Sequence, residues 1–192
     1  MAEPARTCPL GAREGEPAAE RRLGERLVLR ERPFVGKLSL RGDAGDPAFA
    51  AAAERALGSR LPTVPGETNE SQAIVLALAP DEWLVVLRDG VAAAPLLARL
   101  EGALRGFHAA IVDVSSATTI LLLLGPGGRD LLARGCSVVL TGTGRCWQTR
   151  LARAPVLIYA PADDAERLDL FAPRSLALHL REWLVDASGP LS

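Results

Sequence analysis

The sequence predicts an α+β fold made of two ferredoxin-like halves of β-α-β-β-α-β type, packed as one unit. Three observations lead there. Short apolar runs of strand length alternate with stretches of helical period. The first half reads β-α-β-β-α-β, and the second begins in the same order but ends β-β-β-α. With 48% hydrophobic residues in 192, the chain is long and apolar enough to bury one sizeable core or two small ones.

The elements follow in order. Residues 1–31 are rich in charge, Gly and Pro up to about Leu23 and amphipathic over Leu23–Leu29. They are expected to form a flexible arm that becomes ordered only against a partner. Residues 32–188 are expected to form a single domain, with halves at about 34–114 and 117–187. The first strand is Phe34–Arg41, where apolar and polar residues roughly alternate. Gly42-Asp43 and Gly45-Asp46 turn the chain into an Ala-rich helix ending at Leu57, with Asp46 as N-cap, Pro47 at the first helical position and Gly58 as the stop.

Leu61–Gly66 is a Pro/Gly connector, and Ala73–Ala79 and Trp83–Arg88 are paired strands around Ala79-Pro80-Asp81-Glu82. A helix over Ala93–Leu104 aligns Leu96, Leu97, Leu100 and Leu104, and the strand Phe107–Val114 closes the half. In the second half, the strand Thr118–Leu124 leads to a helix over Gly127–Arg134. A short segment at Val138–Leu140 and a loop over Thr141–Gly144 follow. Strands Cys146–Ala152 and Val156–Tyr159 form a hairpin around Ala154-Pro155, before the strand Leu168–Phe171 and a final helix over Pro173–Val185.

Composition excludes several classes of function. Lys plus Arg number 22 against 23 acidic residues, so the formal charge of −1 offers no electrostatic footprint for nucleic acid or an anionic membrane. Apolar runs such as Thr119–Leu124 fall far short of the roughly 20 residues that cross a bilayer. Three cysteines without CxxC spacing, and a first thirty residues without an apolar h-region, make a soluble cytoplasmic protein the expectation.

The candidate chemistry is sparse. Gly125-Pro126-Gly127-Gly128-Arg129 lies between a strand and a helix, but it lacks P-loop spacing and a phosphate-reaching Lys, so it reads as helix-start chemistry. Asp113, Ser115 and Ser116 have no histidine base in reach: His108 precedes Asp113 by five residues in one strand, and His179 lies in the last helix. They read as turn-stabilising groups. Cys136 and Cys146 with His179 are too few for structural zinc. Cys146 follows Arg145, which would favour a thiolate, although a cysteine within a strand reads first as a small buried hydrophobe. Gly142-Thr143-Gly144 does not continue as a dinucleotide fingerprint. Trp83, Trp147 and Trp183 are core or interface anchors. Strand alternation puts Arg145 and Trp147 on one face as a possible subunit interface. No catalytic, cofactor-binding or metal-binding residue is expected on the chain.

Val112-Asp113-Val114-Ser115 followed by Leu124-Gly125-Pro126 resembles a junction of the glycine-cleavage T-protein (aminomethyltransferase) superfamily. Further stations are Leu61-Pro62, Pro80-Asp81-Glu82-Trp83-Leu84, Leu131–Cys136, Gly144-Arg145-Cys146-Trp147-Gln148-Thr149 and Arg174-Ser175. In this order they resemble the gamma subunit family of heterotetrameric sarcosine oxidase, from about Leu61 to Trp183. The resemblance implies an aminomethyltransferase N-terminal-domain-like fold. It also implies a non-catalytic subunit that associates with alpha, beta and zinc-binding delta subunits in a bacterial oxidoreductase complex. That complex demethylates sarcosine to glycine and passes the methyl carbon to tetrahydrofolate. FAD, FMN, NAD, zinc and tetrahydrofolate would then belong to the partner chains, and none to this one.

Two rivals from the same superfamily remain. A stand-alone folate-binding aminomethyltransferase-like enzyme would need a central carboxylate, for which Asp113 is the candidate. A folate protein of iron–sulfur assembly would need a reactive cysteine, Cys136 or Cys146.

Overall fold

The computed structural model describes residues 8–11 and 20–189, and contains two antiparallel sheets, each with helices on one face. The chain divides into two compact units, one of 35–116 with 144–146 and the other from the rest. The strands are β1 (Glu20–Leu23), β2 (Leu27–Arg32), β3 (Lys37–Arg41), β4 (Thr68–Glu70), β5 (Ile74–Ala79), β6 (Glu82–Val86), β7 (Ala110–Asp113), β8 (Thr118–Leu124), β9 (Arg145–Leu151), β10 (Ala154–Ala160) and β11 (Arg167–Pro173). The helices are α1 (Pro47–Leu57), α2 (Ala94–Ala103), α3 (Gly128–Ala133) and α4 (Ala177–Ala187).

The first unit to complete along the chain is a five-stranded sheet of order β4-β5-β6-β3-β7. Without the edge strand β4 it is the ferredoxin-like arrangement the element order predicts. Strand alternation turns Leu38, Leu40, Val75, Ala77, Trp83 and Val85 to one face, where Phe49, Ala53 and Leu57 of α1 and Leu96 and Leu100 of α2 cover them. The start and stop of α1 are as the sequence specifies. Asp46 Oδ1 accepts the Ala48 N–H at 2.8 Å, Pro47 opens the helix, and Gly58 adopts a left-handed conformation to return its N–H to the Glu54 carbonyl.

The other sheet has six strands in the order β1-β2-β8-β11-β10-β9. Its helix-covered face carries Leu29, Leu121, Leu123, Leu168, Leu170, Ala172, Val156, Ile158 and Ala160, packed against Leu131 and Leu132 of α3 and Leu180 and Leu184 of α4. The same strand order is present in both sheets once β9, β10, β11, β8 and β2 are matched with β4, β5, β6, β3 and β7. The second half therefore lacks a last strand of its own. Antiparallel β2, from near the N-terminus, takes that place beside β8 in the register Leu29↔Leu123.

This placement revises the reading of residues 1–31 as an arm outside the fold. Glu20–Leu23 and Leu27–Arg32 form a hairpin within the sheet, while residues 1–7 and 12–19 lie outside the described residues. Gly125 shows how closely the hairpin is seated. A Cβ built on it would lie 2.0 Å from the Arg26 carbonyl oxygen, and its φ of 113° already favours glycine.

Three local readings also change. The hairpin between β9 and β10 turns at Ala152-Arg153, both left-handed (φ 49° and 70°), and Pro155 lies within β10. This turn lacks the Asn-Gly signal that normally announces such a geometry. β11 runs on to Pro173, and a single 3-10 turn, Arg174–Leu176, precedes α4. β4, built from Thr68-Asn69-Glu70, has no apolar residue to mark it.

Candidate functional site

Two groups of charge are buried in the six-stranded unit, one on each face of its sheet. On the face away from the helices lies Asp169, wholly buried between Leu168 and Leu170 of the opposite face. Arg167, two residues earlier on the same strand and half-buried, grips both carboxylate oxygens, with Nε donating to Oδ1 at 2.8 Å and Nη2 donating to Oδ2 at 2.9 Å. Arg32 of β2, 8% exposed, donates Nη1 to Oδ2 of the same carboxylate. Such fork-to-carboxylate geometry offsets the cost of removing both ions from water.

On the helix-covered face, Glu31 lies opposite Leu121 and is 4% exposed. Its Oε1 accepts the Thr119 hydroxyl at 2.6 Å. Glu31 is the last residue of the stretch read as an arm and Arg32 the first beyond it, and their partners, Thr119 and Asp169 respectively, are far along the sequence. Periodicity therefore gave no sign of either group.

The residues singled out in the sequence fall into place as follows. Asp113 Oδ1 accepts the Ser115 N–H at 2.8 Å, and Ser115 Oγ accepts the Lys37 N–H at 2.9 Å. Asp113 thus closes a local turn, as its reading expects, whereas Ser115 ties the end of β7 to the start of β3, a longer-range contact than the nearby amide expected of it. Arg129 donates Nη1 to the Leu140 carbonyl at 2.8 Å and Nη2 to the Gly142 carbonyl at 2.7 Å. It stitches down the loop after α3 and offers no anion cradle. His179 Nε2 lies 3.0 Å from the Ala152 carbonyl, fastening α4 to the strained β9–β10 turn. His108 is exposed and is not brought to Asp113 by any hydrogen bond between them. Among the described residues, no three His, Cys, Asp or Glu side chains are grouped as a metal site would need.

The tryptophans divide. Trp83 is wholly buried under α1 and donates Nε1–H to the Pro62 carbonyl at 2.8 Å. Trp183 packs where Gly135 leaves room, since a Cβ there would lie 2.4 Å from the indole. Trp147 is half-buried against the core of the six-stranded unit. Arg145 is exposed in the five-stranded unit, beside the backbone bridge from Glu67.

Cys146 shows which of two opposed effects wins. Its side chain is 3% exposed, with Sγ 3.7 Å from the Ala77 carbonyl. Burial pushes its pKa from 9.0 up to about 12, and the neighbouring Arg145 guanidinium lowers it only in part. The thiol is therefore expected to resist iodoacetamide at neutral pH, reacting more slowly than free cysteine; alkylation at the free rate in the folded chain would contradict this. The linkage has a definite sign. A raised folded-state pKa adds stability that is complete below 9.0 and is lost as pH climbs towards about 12, because the unfolded chain sheds the proton first. Denaturation midpoints should fall across that window, and Cys146→Ala should flatten the fall.

Comparison with known proteins places the chain in a family. Residues 41–190 match the family described as "Sarcosine oxidase, gamma subunit family". The chain is 36% identical over 177 residues to the sarcosine oxidase subunit gamma of Corynebacterium sp. (strain U-96), covering 88% of this chain and 83% of that relative. It is 33% identical over 171 residues to the subunit gamma of Arthrobacter sp., covering 84% and 79%. Among solved structures, the heterotetrameric sarcosine oxidase from Corynebacterium sp. U-96 in complex with pyrrole 2-carboxylate contains a similar chain. The TM-score is 0.77 at 30% identity, over 86% of this chain and 88% of that one. The glycine cleavage system aminomethyltransferase T from Bartonella henselae shares the fold, with TM-score 0.61 at 16% identity; the match covers 81% of this chain but 44% of that longer one. On the family match and these identities, the chain belongs to the sarcosine oxidase gamma subunit family.

Proposed function

We propose that the protein is the gamma subunit of a heterotetrameric sarcosine oxidase, and that its own contribution is architectural. The observation that carries this reading is the agreement over nearly the whole of both chains with a chain of the Corynebacterium sp. U-96 complex, at TM-score 0.77. The internal chemistry supports it. Asp169 is gripped by two arginines, Asp113 closes a turn, and Cys146 is held as a neutral buried thiol, so these groups serve the fold.

On this reading, the partners are alpha, beta and delta subunits in a cytoplasmic complex that oxidises sarcosine to glycine and transfers the methyl carbon to tetrahydrofolate. FAD, FMN, NAD, zinc and tetrahydrofolate reside on those partner chains. Arg145, exposed, and Trp147, half-buried, are residue types that anchor interfaces, and each is assigned a partner contact.

Co-purification from the native source tests the proposal. The chain should elute with three further polypeptides and with sarcosine-oxidising activity; a cofactor-free monomer in the native lysate would overturn it. Arg145→Glu is expected to weaken association at least about tenfold while leaving the melting temperature of the isolated chain unchanged. Undiminished co-elution would remove Arg145 from the interface. Tight binding of tetrahydrofolate by the isolated chain would instead favour a stand-alone folate enzyme.

A further inference from the structure

The Glu31 carboxylate has one oxygen that the fold does not use. Oε1 accepts the Thr119 hydroxyl, but Oε2 is buried and has no hydrogen-bond partner among the described residues. A carboxylate oxygen removed from water without a donor costs more than most single contacts return, so such an atom calls for a ligand or an explanation.

Glu31 lines a cavity of about 360 Å³ in the six-stranded unit. Leu29 supplies an apolar wall beside it, and the cross-strand pair Glu20–Arg30, 3.1 Å apart, lies at the exposed rim. Arg181 reaches the same cavity from α4, and Arg21 from β1. Neither arginine makes a hydrogen bond or ion pair among the described residues.

The cavity thus presents an acceptor lacking a donor and a half-buried cation, Arg181, lacking an anion, with the exposed Arg21 at its margin. Glu31 and Arg181 do not satisfy each other. A single water could donate to Oε2, but one water fills only about 30 Å³ of such a space and would leave both arginines as they are. A molecule that satisfies both ends must carry N–H donors with positive charge at one end and an anionic oxygen pair at the other. A quaternary ammonium is excluded, because it has no N–H to give.

We infer that this cavity is a binding site for a small zwitterion of amino-acid type, its ammonium on Glu31 and its carboxylate on Arg181, with Arg21 adding positive charge. The inference stands on the cavity and is independent of the assignment to an oxidase complex. Its polar groups come from β1, β2 and α4, so the site is built by the N-terminal hairpin together with the last helix.

The test is calorimetric titration of the purified full chain with glycine and with γ-aminobutyrate, using ethylamine and acetate as half-ligands. At least one zwitterion should bind, and each half-ligand should bind at least about tenfold more weakly. Glu31→Gln keeps the side-chain size and an oxygen for Thr119 but removes the charge; it should weaken binding at least about tenfold. Arg181→Met, on a half-buried helix position, provides an independent variant with the same expected loss. Absence of heat and of thermal stabilisation with either zwitterion up to about 10 mM, a range well above a millimolar Kd, would overturn the inference. So would unchanged affinity in Arg181→Met.

Discussion

Replacing Asp169 with leucine is expected to cost about 3–5 kcal/mol of folding stability, because it removes a wholly buried carboxylate that the Arg32 guanidinium binds where water scarcely reaches. The asymmetry between the two arginines makes the prediction specific. The side chain of Arg167 is 28% exposed and can turn to solvent, whereas that of Arg32 is 8% exposed and cannot do so without displacing its neighbours. The double variant Asp169→Leu with Arg32→Met should therefore recover most of the loss, since an apolar pair of similar size carries no desolvation penalty. Adding Arg167→Met to Asp169→Leu should recover little. Urea denaturation of the four proteins measures this. A loss below about 1 kcal/mol for Asp169→Leu would show that the network contributes no more than an exposed pair does.

Trp83→Ala is expected to have a comparable effect in the other unit, about 3–5 kcal/mol. The indole is wholly buried, lies 6.2 Å from the Phe49 ring centroid, and tethers the Leu61–Gly66 connector through the Pro62 carbonyl. Two contributions can be separated. Trp83→Phe retains most of the apolar burial and loses the hydrogen bond, worth about 1 kcal/mol; Trp83→Ala loses both and leaves a cavity. The ordering Ala far below Phe, and Phe slightly below wild type, is the expected outcome of thermal or denaturant unfolding. Similar losses in the two variants would mean that the tether, and not the burial, dominates at this position.

Much of the five-stranded unit was legible because its signals are local. Asp46, Pro47 and Gly58 state where α1 begins and ends, and the leucine spacing of α2 states which side is covered. The turn role of Asp113 was legible for the same reason: its acceptor bond spans two residues. The six-stranded unit was harder to read where its strands rely on distant partners. Leu23–Leu29 reads as the amphipathic part of an arm, and nothing local shows that Glu31 and Arg32, just beyond it, are buried against Thr119 and Asp169. β4 has three polar residues and pairs through its backbone alone, which composition does not report. The Ala152-Arg153 turn is held in an unfavourable backbone region by the strands around it and by His179, so residue preference pointed to the wrong pair.

The candidate residues show the same division. Cys146 was legible as a small buried hydrophobe, and Arg145 beside it suggested reactivity; desolvation outweighs that single charge. The cavity at Glu31 was not legible, since Glu31 and Arg181 come from opposite ends of the chain and neither belongs to a motif. Family membership, by contrast, was carried by short stations spread along the chain, and residues 41–190 bear the match.

The borrowed edge of the six-stranded sheet has a consequence for the order of assembly. A ribosome delivers β1 and β2 first, yet their neighbour β8 emerges only after the stretch 35–116 has been made. The earliest hairpin must therefore wait, unpaired on its β8 side, while a later stretch gathers its own strands, a delay that non-local pairing imposes on any nascent polypeptide. Grafting residues 20–34 behind Gly189 would place that hairpin last in translation and should shorten its exposure to proteases.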